Sequence, residues 1–332
     1  MATVRVFVPT HRRARLLERA IASLRAQTFP DWVCEVHNDA PDDDGPARLV
    51  ARLGDARITH RPHARNLGAT ATFNLIFQAT PEPFYSMLED DNWWEPDFLS
   101  SMLAAVEGHA DVTVAWANMR VWQEEPDGSF RDTGGLVHPY AAGEPPRLVP
   151  WGQPAQMCGA KHSNSALLIR SRAHQGFTTP DVPVAMVEMF RERLFAHPLL
   201  FVPRPLAHFS RTLQTARSRS PSEWATLETM LVATFLKHAR FDRVRLGEVW
   251  ADARAVRPPK TTALLLASFV EPACRPLRDW ARPNDWLRLG RGVVRRPHLL
   301  CRVLRSRRRH PGWWDFLDRA TAARFAEQRG QP

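Results

Sequence analysis

Glu89-Asp90-Asp91 is a run of three carboxylates that closes an apolar stretch, Phe84–Leu88. Like charges side by side repel, so such a run is tolerated when water solvates it or a cation neutralises it. In extended chain residues 89 and 91 face the same way, which makes an acid-x-acid pair. Hard divalent ions take oxygen ligands, and a diphosphate can complete their shell. A solvated acidic turn is the competing reading, and the flanking Asn92-Trp93-Trp94-Glu95-Pro96 weighs against it. Asp39 lies in a second polar cluster, Asn38-Asp39-Ala40-Pro41, where it serves a ligand or shapes an Asx turn. Arg65 offers a planar fork to a phosphate or carboxylate. Asn66 and Gly68 stand where a helix cap would.

These groups need elements to bring them together. Val4–Val8, closed by Pro9-Thr10, reads as a buried strand. Leu16, Leu17, Ala20, Ile21 and Leu24 repeat at helical spacing, with Arg15, Glu18, Arg19 and Arg25 opposite. Strands over 32–38, 56–60, 84–88 and 112–121 alternate with helices over 45–53, 69–79 and 96–108. That alternation predicts an α/β fold with a mostly parallel central sheet flanked by helices. In such sheets ligands sit beyond the carboxyl ends of strands. Thr10, Asp39 and Glu89–Asp91 all follow strand ends, so one crevice is expected to collect them. Residues 126–150 read as loop, 184–195 as helix, and 201–202 and 206–209 as short strands.

Four segments together resemble family 2 glycosyltransferases of the GT-A fold. They are VRVFVPTHRRARLLERAIASLRAQTFPDW, HNDAPDDD, RPHARNLGATATFN and MLEDDNWWEPDFL, in that order. The resemblance covers about residues 3–211. It implies an inverting transfer from a nucleoside-diphosphate sugar to an acceptor hydroxyl, with Mn²⁺ or Mg²⁺. Pro9, Thr10 and Arg13 match the loop that borders the base and ribose. Asp39 matches the base-binding aspartate, and Arg65, Asn66 and Gly68 the segment that closes over the donor. Asp91 matches the direct metal ligand, Asp90 a neighbour of ribose or sugar, and Glu89 a position usually held by Asp.

The same resemblance supplies a general base from an acidic pair after a Gly-Phe segment, here Gly176-Phe177. Glu188 matches the first acid, Met189 stands where the second is usual, and Asp181 is the fallback. A surface Glu188–Arg191 pair is the structural alternative. Pro203–Arg211 resembles the final strand, placing His208 near the metal and Arg211 near the leaving diphosphate. His162, Ser163 and Asn164 are expected on the acceptor side, and Trp93, Trp94, Tyr140 and Trp151 as sugar-stacking aromatics or core.

The chain has 332 residues and a net charge of +10, unevenly placed. From Arg211 onward 25 basic residues face 11 acidic ones, whereas the preceding part is slightly acidic. Two domains are expected: 1–211 catalytic, and 212–332 a helical, Arg-rich extension. The interleaved arginines and apolar residues of 291–309, followed by Trp313-Trp314, suggest peripheral contact with an anionic membrane and a glycan or lipid-linked acceptor. The four cysteines lack metal spacing, no secretory leader opens the chain, and no apolar run approaches the ~20 residues of a spanning helix. A cytoplasmic enzyme, peripheral at the inner face of the membrane, is the expectation. No P-loop, HExxH or dinucleotide fingerprint occurs. A nucleotidyltransferase on a similar fold is disfavoured by Pro9-Thr10-His11-Arg12-Arg13, which lacks the Gly-rich, Lys-bearing loop for a triphosphate. A non-catalytic membrane or nucleic-acid binder is the remaining class, and no specific nucleic-acid partner is expected.

Overall fold

Val4, Val6 and Val8 alternate, and in the computed structural model they build β1 (Val4–Thr10), buried along almost all its length. The structure describes residues 2–174, 176–214, 221–256 and 259–330. The amphipathic α1 (Ala14–Arg25) buries Leu16, Leu17, Ala20, Ile21 and Leu24. Then come β2 (Trp32–Asn38), α2 (Gly45–Leu53), β3 (Ile58–Pro62), α3 (Ala69–Asn74), β4 (Phe84–Met87), β5 (Trp93–Trp94) and α4 (Phe98–Glu107). The unit is completed by β6 (Val114–Glu124), β7 (Phe130–Leu136), β8 (Arg147–Val149), β9 (Leu167–Arg170), α5 (Val187–Arg191) and β10 (Leu199–Arg211).

These strands form one sheet in the order β3-β2-β1-β4-β9-β6-β10-β5, with β7 on β6 and β8 on β10. β3, β2, β1 and β4 are mutually parallel, and β10 is parallel to β6. β9 runs antiparallel between β4 and β6, so the sheet is mixed rather than uniform. The parallel half carries the expected crossovers, and its strand ends form the rim that matters below. Apolar residues of β1, β2, α1 and α4, among them Val6, Val36, Ile21 and Phe98, pack into the core.

Several local expectations change. Residues 126–150 are not all loop but contain β7 and β8. Glycine masks β7 in the sequence: Gly134 takes φ +70°, where the ladder with β6 skips two residues, Thr133 and Gly134. The two short late strands are one, β10. Pro203 and Pro205 fall where its register against β6 shifts, so the lost N–H donors interrupt the ladder without ending it. The helix expected over 184–195 shortens to a 3₁₀ turn, Val184–Met186, and α5.

The chain divides into two compact units, 1–150 with 162–216, and 151–161 with 217–332. In the second, α6 (Pro221–Ala239), α7 (Arg243–Ala255) and α8 (Thr261–Val270) lead through a 3₁₀ stretch, Pro272–Trp280, to α9 (Pro283–Arg295). α10 (His298–Leu304), α11 (Ser306–Arg309) and α12 (Pro311–Gly330) follow. Leu264, Leu265, Leu266, Trp250, Phe235, Leu317 and Phe325 are buried here. Trp151 packs tilted against Phe235 and edge to face with Phe325, which places it in this helical core rather than on a sugar. Among the described residues no helix is long and apolar enough to cross a membrane.

Candidate active site

β1, β2 and β4 end at one rim because they are parallel neighbours. Past β2, the Asp39 N–H donates to the Thr10 carbonyl at 2.9 Å. Past β4, Asp90 Oδ2 accepts from Thr10 Oγ1 at 2.8 Å. Thr10 therefore ties the Asp39 loop to the acidic run. Arg13, at the start of α1, donates to Asp90 Oδ1 at 3.3 Å and to Asp91 Oδ2 at 3.0 Å.

Asp39 is 4% exposed, and its carboxylate organises the segment after β3. Oδ1 accepts from the Leu67 N–H at 2.6 Å and from His63 Nδ1 at 3.0 Å, and Oδ2 from the Gly68 N–H at 2.9 Å. Gly68 adopts φ +83°, a conformation costly for a residue with a Cβ. That turn presents both backbone donors to one carboxylate. Asn66 Oδ1 accepts from the Gly68 N–H at 2.8 Å, and its Nδ2 donates to His11 Nε2 at 3.1 Å. Arg65 is exposed beside them.

The acidic run is pinned from behind. Ser165 Oγ donates to Glu89 Oε2 at 2.8 Å and accepts from the Glu89 backbone N–H and from Asn92 Nδ2, each at 2.9 Å. Asn92 Oδ1 accepts from the Ser210 N–H at 2.9 Å, and Ser210 Oγ donates to the Asp91 carbonyl. Arg19 donates to the same carbonyl at 2.7 Å, its guanidinium held between Trp93 and Phe130 at 3.9 and 3.8 Å. Arg19 thus leaves the solvent-facing role its helical position suggested. Burial brings its pKa down to about 10.

Glu188, on α5, comes to the same place. Its Oε1 accepts from the Asn164 N–H at 2.7 Å. Arg191 is fully buried, donates to Asn164 Oδ1 at 2.5 Å and to the Phe73 carbonyl at 3.1 Å, and makes no surface pair with Glu188. Burial, then repulsion from Asp91 and Glu188, pushes Glu89 up to about 8. Burial and Asp91 push Asp90 up to about 7 against the pull of Arg13, and burial raises Asp91 too. The rim is thus an electrostatic deficit in which carboxylates outnumber the cations facing them.

His208 is not brought to this cluster as a ligand. Its Nδ1 accepts from Trp122 Nε1 at 2.9 Å, its Nε2 lies 3.0 Å from Glu95 Oε1, and its ring stacks on Trp93 at 4.8 Å. Both ring nitrogens are engaged, so the metal role expected of it finds no support. Arg211 is exposed at the end of β10, and Asp181 is exposed on the loop before α5. Trp94 is buried and donates to the Ser165 carbonyl, which makes it core. Asn92, Ser165, Arg19 and His63 are the site residues that sequence reasoning missed. Only the polar flank of Asn92 beside the acidic run hinted at any of them.

Among the described residues no three His, Cys, Asp or Glu side chains are already arranged around one point as a metal cage. The donor set still suits a hard divalent ion. Mg²⁺-like ions are held by one or two carboxylates and complete their shell from substrate phosphates. Asp90 and Asp91 are buried, repel each other and share the Arg13 guanidinium, so a divalent ion would add to the charge that Arg13 supplies.

A curled mixed sheet flanked by helices, with an acidic rim past its parallel strands, defines a GT-A fold. Residues 5–140 match the family model described as glycosyl transferase family 2. A putative colanic acid biosynthesis glycosyl transferase, WcaA of Escherichia coli K12, is 28% identical over 123 residues. That match spans 37% of this chain and 44% of the relative, so the chain matches less than half the relative's length. Residues 1–349 of TarS from S. aureus, in complex with UDP-GlcNAc, superpose with a TM-score of 0.58 at 12% identity. They cover 100% of this chain and 93% of that one; the UDP complex gives 0.56 at 13%, covering 100% and 92%. Likeness at this identity establishes the fold.

Proposed function

We propose that the chain is an inverting glycosyltransferase that moves a sugar from a nucleoside-diphosphate donor to the hydroxyl of a glycan or lipid-linked acceptor, in surface-polysaccharide or related glycoconjugate assembly. The observation that carries the reading is the link Asp39–Thr10–Asp90, in which one strand-end residue holds both the backbone of the Asp39 loop and the carboxylate of Asp90 in the acidic run. The solved TarS complexes, with UDP-GlcNAc and with UDP, support a nucleotide-sugar donor, and the polysaccharide setting of WcaA supports the pathway class.

On this reading Asp39 holds the Leu67–Gly68 turn over the base, while Pro9, Thr10, Arg13 and Asn66 line the nucleotide and Arg65 and Arg211 approach its phosphates. Asp91 and, through its uncommitted oxygen, Glu89 would hold Mn²⁺ or Mg²⁺. When bound, that ion supplies charge to stabilise the departing diphosphate. Glu188 takes the proton of the acceptor hydroxyl as its oxygen bonds to the anomeric carbon and the bond to the diphosphate breaks. Negative charge nearby favours the oxocarbenium-like centre in between. Asp181 is the alternative base.

The test is a thermal-shift panel of UDP-, GDP- and dTDP-sugars with and without Mn²⁺, on the whole chain and on Asp91→Ala. One nucleotide should raise the melting temperature only with Mn²⁺, and Asp91→Ala should abolish that rise while keeping the melting temperature of the free protein. No shift with any nucleotide, with or without the ion, overturns the reading.

A further inference from the structure

α9 has two apolar sides where a globular helix needs one. Its inner side carries Leu289, buried, and Asp285, buried and paired with Arg254 at 2.7 Å. Its outer side carries Pro283, Trp286, Leu287, Gly290 and Val294, which with Arg291 and Arg295 line an open groove of about 620 Å³. The spacing i, i+3, i+4, i+7, i+11 is one continuous helical stripe. Trp286 is 39%, Leu287 56% and Val294 81% exposed. Phe269 of α8 extends the patch, meeting Trp286 edge to face at 6.4 Å and itself exposed. Folding does not account for such a stripe, since a contiguous exposed apolar patch marks a binding surface.

The charge around the patch is of one sign. Between Asp285 and Asp315 the sequence has nine arginines and no acidic residue. Arg288, Arg291, Arg295 and Arg296 on or beside α9 are exposed, with Arg305, Arg308 and Arg309 further on. Of the two tryptophans first expected at a membrane, Trp314 is buried and Trp313 half-buried. An apolar ridge carrying a tryptophan and bordered by arginines is the composition of a helix seated in the interface of an anionic bilayer. A protein partner would have to present a large acidic rim with no compensating bases, whereas an anionic leaflet presents both apolar depth and negative headgroups at once.

We propose that the outer face of α9, with Trp286, Leu287 and Val294 at its centre and Arg288, Arg291 and Arg295 at its edge, docks the protein on an anionic lipid bilayer. This holds independently of the donor chemistry. It fits an acceptor that is itself anchored in that bilayer.

The experiment is co-sedimentation of the whole chain with vesicles of phosphatidylcholine alone and of equal parts phosphatidylcholine and phosphatidylglycerol. Binding is expected only to the second, and added salt should weaken it. A variant carrying Trp286→Ser, Leu287→Ser and Val294→Ser should lose at least about tenfold in partition with its melting temperature unchanged. Arg291→Gln and Arg295→Gln should each lose roughly fivefold. Val244→Ser, which alters an apolar residue 71% exposed on α7, should change nothing. Three results overturn the proposal: equal binding of the triple variant, equal binding to the neutral vesicles, or no vesicle binding with a wild-type dimer that the triple variant converts to monomer. The last assigns the face to a second copy of the chain.

Discussion

Thr10 Oγ1 donates to Asp90 Oδ2 at 2.8 Å, joining residues 80 positions apart. The same residue accepts the Asp39 N–H through its carbonyl. Thr10→Val keeps the β-branched shape of a buried strand end and removes only the hydroxyl. A buried acceptor that loses its donor costs about 1–3 kcal/mol. Thr10→Val is therefore expected to lower the melting temperature by a few degrees and to weaken nucleotide binding. Calorimetry with and without nucleotide checks both. Unchanged values would mean that Arg13 alone holds Asp90.

The acidic rim sets a pH dependence whose direction follows from the raised carboxyls. Glu89 goes from 4.5 to about 8 and Asp90 from 3.8 to about 7, so each keeps its proton longer in the folded chain than in the unfolded one. Their contribution to stability is whole below about pH 4 and is lost as pH rises toward 7 and 8. Glu35 acts oppositely. Bonds from His37 and Arg61 hold it down to about 2, so its contribution is present above about pH 4.5 and is lost toward pH 2. In EDTA the melting temperature should fall between about pH 5.5 and 8.5, and Mn²⁺ should restore part of the loss at the upper end. Asp90→Asn should flatten the fall. A melting temperature that is level across that range in EDTA contradicts the arrangement.

Those carboxylates were legible in the sequence because their run ends a strand and the strand alternation fixes which ends share a rim. The residues that hold them were not. Ser165 and Asn92 look like any polar residues at a strand edge, and only the pairing of β9 beside β4 brings Ser165 to Glu89. Arg19 sits at a position whose helical phase points to solvent, yet Trp93 and Phe130 draw its guanidinium in by cation–π contact. His208 fell to the opposite error. Its place on the last strand suggested a ligand, whereas tertiary packing on Trp93 and Trp122 consumes it. β7 was hidden by glycines whose use is a bulge, a feature that local propensity cannot separate from a loop.

Glu188 and Asp181 separate by geometry. Glu188 stands among the rim carboxylates, its Oε1 fixed by the Asn164 N–H and its field felt at Glu89. Glu188→Gln keeps an oxygen to accept from Asn164 and removes the ability to take a proton. Turnover is expected to fall by about a hundredfold to ten-thousandfold, with donor KM and melting temperature nearly unchanged. Asp181→Asn should retain most activity. Steady-state kinetics on both variants decide it, and the reverse ranking would transfer the base role to Asp181.

His63 has the most testable indirect role at this rim. Its Nδ1 donates to Asp39 Oδ1 at 3.0 Å, while its Nε2 meets His37 Nδ1 at 3.3 Å, and His37 stacks against Phe7 of β1. Asp39 is thus braced from β1 and β2 on one side and receives the Leu67 and Gly68 N–H groups on the other. Removing the imidazole leaves those two backbone donors in place, so the turn persists but the carboxylate gains freedom to rotate. Under the base-binding role proposed for Asp39, a misoriented carboxylate weakens recognition of the base and leaves the reacting carbon untouched. His63→Phe is therefore expected to raise donor KM by about five- to tenfold, the worth of one charge-assisted bond partly replaced by water, with kcat within about twofold. His63→Gln, which can still donate to Asp39, should recover part of the loss. If His63→Phe lowers kcat and leaves KM alone, His63 serves the chemical step instead, and Asp39 does not act through it.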